Sequence, residues 1–124
     1  MSHPLRILVV DDNKDAAETL GMMLISQQHV VKVYLDPREA LAAAEKFHPT
    51  HGLLDINMPG LNGYELARAI RQIDGCGDIQ LIAVTGYGSA EDRDRSREAG
   101  FNHHLVKPAA FQEVVDLLDG RRHA

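Results

Sequence analysis

Five times along the chain an apolar run of strand length gives way to a segment of helical period, and this alternation limits the fold more than any other feature. Residues 5–10, Leu-Arg-Ile-Leu-Val-Val, are rich in β-branched side chains and read as a strand buried on both faces. Beyond Asp11-Asp12 the period changes: Ala17, Leu20 and Leu24 fall at i, i+3 and i+7, with Met23 beside them. Residues 30–35 read as the second strand. Asp36-Pro37 then opens a helix as an N-cap followed by proline, with Glu39 three residues past the cap and Ala40, Leu41, Ala44 and Phe47 as its apolar stripe. Gly52-Leu53-Leu54 is a weak third strand, because His51 and Gly52 have poor strand propensity. Met58-Pro59-Gly60 is a loop. Asn62 and Glu65 form a capping pair for a helix with Leu66, Ala67, Ile70 and Ile73 on one side. Residues 79–84 are a fourth strand. Ser89 and Asp92 suggest a cap for a fourth helix, whose body from Arg93 to Glu98 is charged almost all round and is held weakly to the core. Leu105-Val106 centre a short fifth strand. Phe111, Val114, Val115 and Leu118 form the stripe of a last helix ending near Gly120.

Short connections between alternating strands and helices imply a parallel sheet, covered on both faces through right-handed crossovers. A length of 124 residues fits one domain, read here as residues 1–124 with a core at about 5–119. A hydrophobic fraction of 44% with 25% charged residues is ordinary globular usage and argues against disorder. The formal charge of -5 argues against nucleic acid as a partner, since phosphate binding needs a basic face. One cysteine, Cys76, excludes an internal disulfide and a thiolate zinc cluster. No apolar run approaches the roughly 20 residues of a membrane helix. Met1-Ser2-His3-Pro4 lacks the basic and apolar regions of a secretory signal, so a cytoplasmic protein without a membrane partner is expected.

In a doubly wound sheet, ligands bind beyond the carboxyl ends of the strands, where the strand order reverses. The residues there are Asp11-Asp12 after the first strand, Asp55 after the third, Thr85 after the fourth and Lys107 after the fifth. Singly, each has a blander reading: the acid pair as a turn and helix cap, Thr85 as a turn hydroxyl, Lys107 as a solvated loop residue. Their joint placement at four strand ends favours a site. Two carboxylates about 4 Å apart repel by about 4 kcal/mol at an effective dielectric of 20, so three together must shift their pKa values, stay solvated or bind a cation. A hard divalent ion fits, and Mg²⁺ (or Mn²⁺), which binds through one or two carboxylates, is the expected cofactor. Beside such an ion, a carboxylate can be the nucleophile of a phosphoryl transfer.

These residues stand in pieces whose spacing resembles the receiver domain of two-component response regulators: Ile7-Leu8-Val9-Val10-Asp11-Asp12, Leu53-Leu54-Asp55-Ile56-Asn57-Met58-Pro59 with Gly63, Val84-Thr85-Gly86, and Val106-Lys107-Pro108. The resemblance covers essentially the whole chain. It implies a flavodoxin-like five-stranded sheet of order 2-1-3-4-5. It also implies a phosphoacceptor at Asp55, metal ligands at Asp11, Asp12, Asp55 and the backbone carbonyl of Asn57, and switch roles for Thr85 and Lys107. The implied partners are a histidine kinase or phosphotransfer protein and a downstream protein; the implied output is a change around the fourth helix, fifth strand and last helix. A cis peptide before Pro108 is usual in the family. Such a chain is a switch, not a turnover enzyme. Gly86 and Tyr87 are candidate modulators, Tyr87 as a shield of the phosphoryl group. His104 stands where receivers often carry tyrosine or phenylalanine. His103-His104, like His48 and His51, lacks partners at metal-ligand spacing.

The stretch from Thr85 to Lys107 looks most like receivers attached to hybrid histidine kinases, so a receiver excised from such a chain is the alternative to a stand-alone regulator. A haloacid-dehalogenase-like phosphatase also uses an aspartate and Mg²⁺ but would carry Asp-x-Asp after the first strand, where this chain has Asp11-Asp12-Asn13. A flavin domain of the same topology would want an anion-binding loop there, which two carboxylates oppose.

Overall fold

The computed structural model describes residues 4–58, 60–86, 90–107 and 110–119, and of residues 90–92 the backbone alone. Strands β1 (Arg6–Val10), β2 (Val30–Tyr34), β3 (His51–Asp55), β4 (Gln80–Thr85) and β5 (His103–Val106) alternate with helices α1 (Lys14–Ser26), α2 (Pro37–Phe47), α3 (Gly63–Arg71), α4 (Ala90–Glu98) and α5 (Phe111–Leu118). The strands form one sheet in the order β2-β1-β3-β4-β5, every pair parallel, as the alternation predicts.

Helix starts follow local chemistry. Asp36 accepts a hydrogen bond from the Arg38 N–H with Pro37 in the first turn, and Asn62 and Glu65 close a reciprocal capping box at α3. At α1 the cap is Asn13, whose side chain accepts from the Ala16 N–H, and not the preceding acid pair. The expected cap at Ser89, the Asp92 side chain and the stop at Gly120 lie outside the described residues.

The sheet divides the interior in two. Leu8, Val10, Leu54, Leu81 and Ala83 face α2 and α3, with Leu66, Ala67 and Ile70 packed on them. Ile7, Val9, Leu53, Ile82, Val84 and Leu105 face α1 and α5, with Ala17, Leu24, Val114 and Leu118 packed on them. Because both faces are buried, the strands read as continuous apolar runs.

Two expectations need correction. The third strand runs the full five residues from His51 to Asp55 and pairs on both sides, with β1 and β4. Central pairing overrides propensity, and Gly52 suits its place: a Cβ there would lie 3.0 Å from Leu81 Cδ2. Phe111 does not join the buried stripe of α5 but is 40% exposed. As the first helical residue its side chain tilts towards the N-terminus, off the end of the packed face.

Candidate functional site

Because all the strands are parallel, their carboxyl ends gather the predicted acids at one edge of the sheet. Asp11 directly follows β1 and Asp55 closes β3; both are buried, whereas Asp12 is exposed. Carboxylate oxygens of Asp11, Asp12 and Asp55 lie within 4.8 Å of one another. Local backbone fixes two of them: Asp11 Oδ1 accepts from the Asn13 N–H at 2.9 Å, and Asp55 Oδ1 from the Asn57 N–H at 3.2 Å.

Lys107 reaches in from the end of β5. Its Nζ lies 3.1 Å from Asp11 Oδ2 and 3.4 Å from Asp55 Oδ1. Its backbone N–H donates to the Thr85 carbonyl at 2.7 Å, which fastens the lysine to the end of β4. Thr85 is buried there, in register with Val106, while its neighbour Val84 pairs with Asp55.

Electrostatics follow from that crowding. Burial first, and then the Asp11 charge, push the Asp55 carboxyl up to about 6, against the opposing pull of Lys107 and the Asn57 N–H. For Lys107, burial pulls the ammonium down, but its hydrogen bond to Asp11 and the charges of Asp55 and Asp11 outweigh it and hold the pKa above the ordinary value.

The donor set fits a hard cation. Three carboxylates converge where one ammonium offsets only part of their charge, and every ligand atom is oxygen, the preference of Mg²⁺. Among the described residues this is the one group of three or more acidic, histidine or cysteine side chains that could hold a metal; His103-His104 and His48 with His51 form none. The structure thus brings Asp11, Asp12, Asp55 and Lys107 together, with Thr85 beside them. Asn57 and Gly86 are exposed on the loops that follow β3 and β4. His104 lies elsewhere: it is half-buried on β5 with Nδ1 3.2 Å from Ser96 Oγ of α4. Tyr87 and the peptide before Pro108 lie outside the described residues.

Gly63 has a role that its sequence motif alone does not reveal. It opens α3 against the end of β3, and a Cβ there would collide with the Asp55 carbonyl oxygen and come within 2.7 Å of Ile56 Cα. The available signal was a glycine in a first helical turn, where it is a poor helix former.

A family model described as the response regulator receiver domain matches residues 7–119. The transcriptional regulatory protein PrrA of Mycobacterium tuberculosis is 36% identical over 110 residues, which is 89% of this chain and 46% of that protein. The chain therefore spans about half the length of that relative. Among solved structures, the chemotaxis protein CheY4 of Vibrio cholerae aligns with a TM-score of 0.91 at 26% identity, covering 97% of this chain and all of that one. The receiver domain of the sensor histidine kinase PA1611 of Pseudomonas aeruginosa aligns with a TM-score of 0.86 at 30% identity, covering 95% of this chain and 97% of that one. That structure carries a magnesium ion coordinated in its active-site cleft. With three carboxylates converging at the carboxyl edge of a 2-1-3-4-5 sheet and a family model matching residues 7–119, the chain belongs to the response regulator receiver domain family.

Proposed function

We propose that residues 1–124 form a single phosphoacceptor switch in which Asp55 takes a phosphoryl group from a phosphohistidine on a kinase or phosphotransfer protein. The reading rests on one arrangement: Lys107 Nζ at 3.1 Å from Asp11 and 3.4 Å from Asp55, within a cluster of acids that also includes Asp12. In the transfer an Asp55 carboxylate oxygen attacks phosphorus in line, the P–O bond forms, and the P–N bond breaks with its electron pair passing to the imidazole. Asp11, Asp12, Asp55 and the Asn57 carbonyl would hold Mg²⁺ (or Mn²⁺), which when bound neutralises charge on the incoming phosphoryl oxygens. Lys107 exchanges its partner Asp55 for a phosphoryl oxygen, and the Thr85 hydroxyl donates to another. The product carries a bulkier and more negative group than the acid it replaces, so the loops after β4 and β5 rearrange around it. The output surface is α4, β5 and α5, read by a downstream protein in the cytoplasm. The chain is modified and restored, with no turnover of a free substrate. The likeness to a sensor kinase's own receiver supports a second reading, in which this receiver serves within a kinase relay.

Acetyl phosphate tests the first step. Intact mass after incubation with Mg²⁺ is expected to show one added phosphoryl group, absent with chelator and absent in Asp55→Asn. Retention of the added group in Asp55→Asn, or many phosphoesters cleaved per chain, would overturn the proposal.

A further inference from the structure

Between residues 93 and 98 of α4, Arg93, Asp94, Arg95, Arg97 and Glu98 are exposed and Ser96 alone is buried. Residues 93–98 gain little from the core, and what holds the helix is gathered at its C-terminal end, where Ala99 and Phe101 are buried and a set of polar contacts surrounds them. Gly100 ends it at φ +105, with the Gly100 N–H donating to the Arg97 carbonyl and the Phe101 N–H to the Ser96 carbonyl, both at 3.0 Å. This is the paired closing pattern that satisfies a helix's last carbonyls.

Arg71, the last residue of α3, grips that turn. Its Nε donates to the Gly100 carbonyl at 2.8 Å, joined there by Nη2; Nη1 donates to the Gly77 carbonyl at 2.9 Å, and Nη2 also to Asn102 Oδ1 at 2.8 Å. Asn102 is itself tied to β4: its Oδ1 accepts from the Leu81 N–H at 2.8 Å, and its N–H donates to the Leu81 carbonyl at 2.7 Å. Arg95 stacks 4.6 Å over the Tyr64 ring of α3, and Ser96 meets His104 of β5. Arg93 and Asp94, nearer to Thr85 and Gly86 in the chain, make no hydrogen bond or ion pair outside α4 among the described residues.

We infer that Arg71 pins the C-terminal end of α4, so that a change at Thr85 tilts the first turns of the helix while residues 99–102 stay fixed. Arg71 touches none of the reacting groups and is a positioning residue. Only a planar fork of donors can serve the Gly77 and Gly100 carbonyls and the Asn102 side chain together. The state-dependent half of this inference rests on Asp55 being the phosphoacceptor; the pin itself does not.

Amide hydrogen exchange on the full chain separates the two, with intact mass recording phosphoryl gain in parallel. In the unmodified chain, amides of residues 99–102 are expected to exchange about 10-fold or more slowly than those of residues 92–95. With acetyl phosphate and Mg²⁺, exchange at 92–95 is expected to change and that at 99–102 to stay constant. In Arg71→Gln, and equally in Arg71→Lys, which keeps the charge but loses the fork, the state-dependent change is expected to spread into 99–102. Equal exchange along the unmodified helix, or a response at 99–102 in the native chain matching that at 92–95, overturns the pin. Unaltered protection of 99–102 in both variants also overturns it. Absence of phosphoryl gain beside an intact exchange gradient overturns the phosphoacceptor reading alone.

Discussion

Buried beside Asp11, the Asp55 carboxyl titrates near 6 instead of its ordinary 3.8, so its charged form is costly in the folded chain without a cation. A group whose folded pKa is raised lends stability that is full below its unfolded pKa and is lost as pH rises through its folded one. In chelator, the contribution from Asp55 should therefore fall as pH climbs from about 4 to about 7, a window set by that shift. Asp55→Asn is expected to stabilise the metal-free chain by about 2 kcal/mol near pH 7, the linkage value reduced for residual solvation. Denaturant unfolding in chelator checks this, and Mg²⁺ should raise the melting temperature of the native chain far more than that of the variant. Lys107 pulls the other way on the same acid, so Lys107→Ala should push Asp55 above its native value, read by carbon-13 titration of the carboxyl.

Gly63 shows how tightly one element is set against another. Gly63→Ala would force a Cβ onto the backbone of Asp55 and Ile56, which cannot move aside as a side-chain tip would. A loss of about 1–3 kcal/mol is expected, with slower phosphoryl gain from acetyl phosphate because the strand end bearing Asp55 must shift. Removing the neighbouring cap by Asn62→Ala should cost about 1 kcal/mol and leave that rate near native, a contrast that separates displacement of the acid from simple helix loss. Much at this scale was legible in the sequence. Strands buried on both faces announce themselves as unbroken apolar runs, and Asp36-Pro37 and Asn62 with Glu65 are local signals satisfied by local bonds. What escaped depended on distant partners. β3 owes its length to β1 and β4, and Ser96 meets His104 only once α4 lies beside β5. Phe111 has the right spacing for burial but sits where its helix has overrun the core.

Across the whole molecule, the acid cluster at one end of the sheet is answered by imidazoles at the other. His29 Nδ1 accepts from the Leu5 N–H at 3.1 Å, a bond that requires the ring to be neutral there. Burial lowers the His29 pKa against the opposing charge of Asp119, and burial with the charges of His29 and His103 lowers that of His51. Folded-state values below 6.5 mean that the unfolded chain takes up protons first, so stability is lost as pH falls below about 6.5. Asp55 and the histidines thus oppose each other in the native chain. In Asp55→Asn the histidine limb should stand alone, with melting temperature falling steadily from about pH 7 to about pH 5, and adding His29→Gln should blunt that slope. The placement of the acids was readable because parallel strands deliver their ends to one edge; the imidazoles were not, because only the fold brings His29 and His103 within electrostatic reach of His51. The two-sided interior also bears on how such a chain can change over time. Leu53 and Leu54 feed opposite halves of it, so one residue inserted within β3 would exchange the halves and turn Asp55 away from its companions. Lineages of this chain should therefore diverge by replacement inside the strands and by gain or loss of length only in the joints between elements.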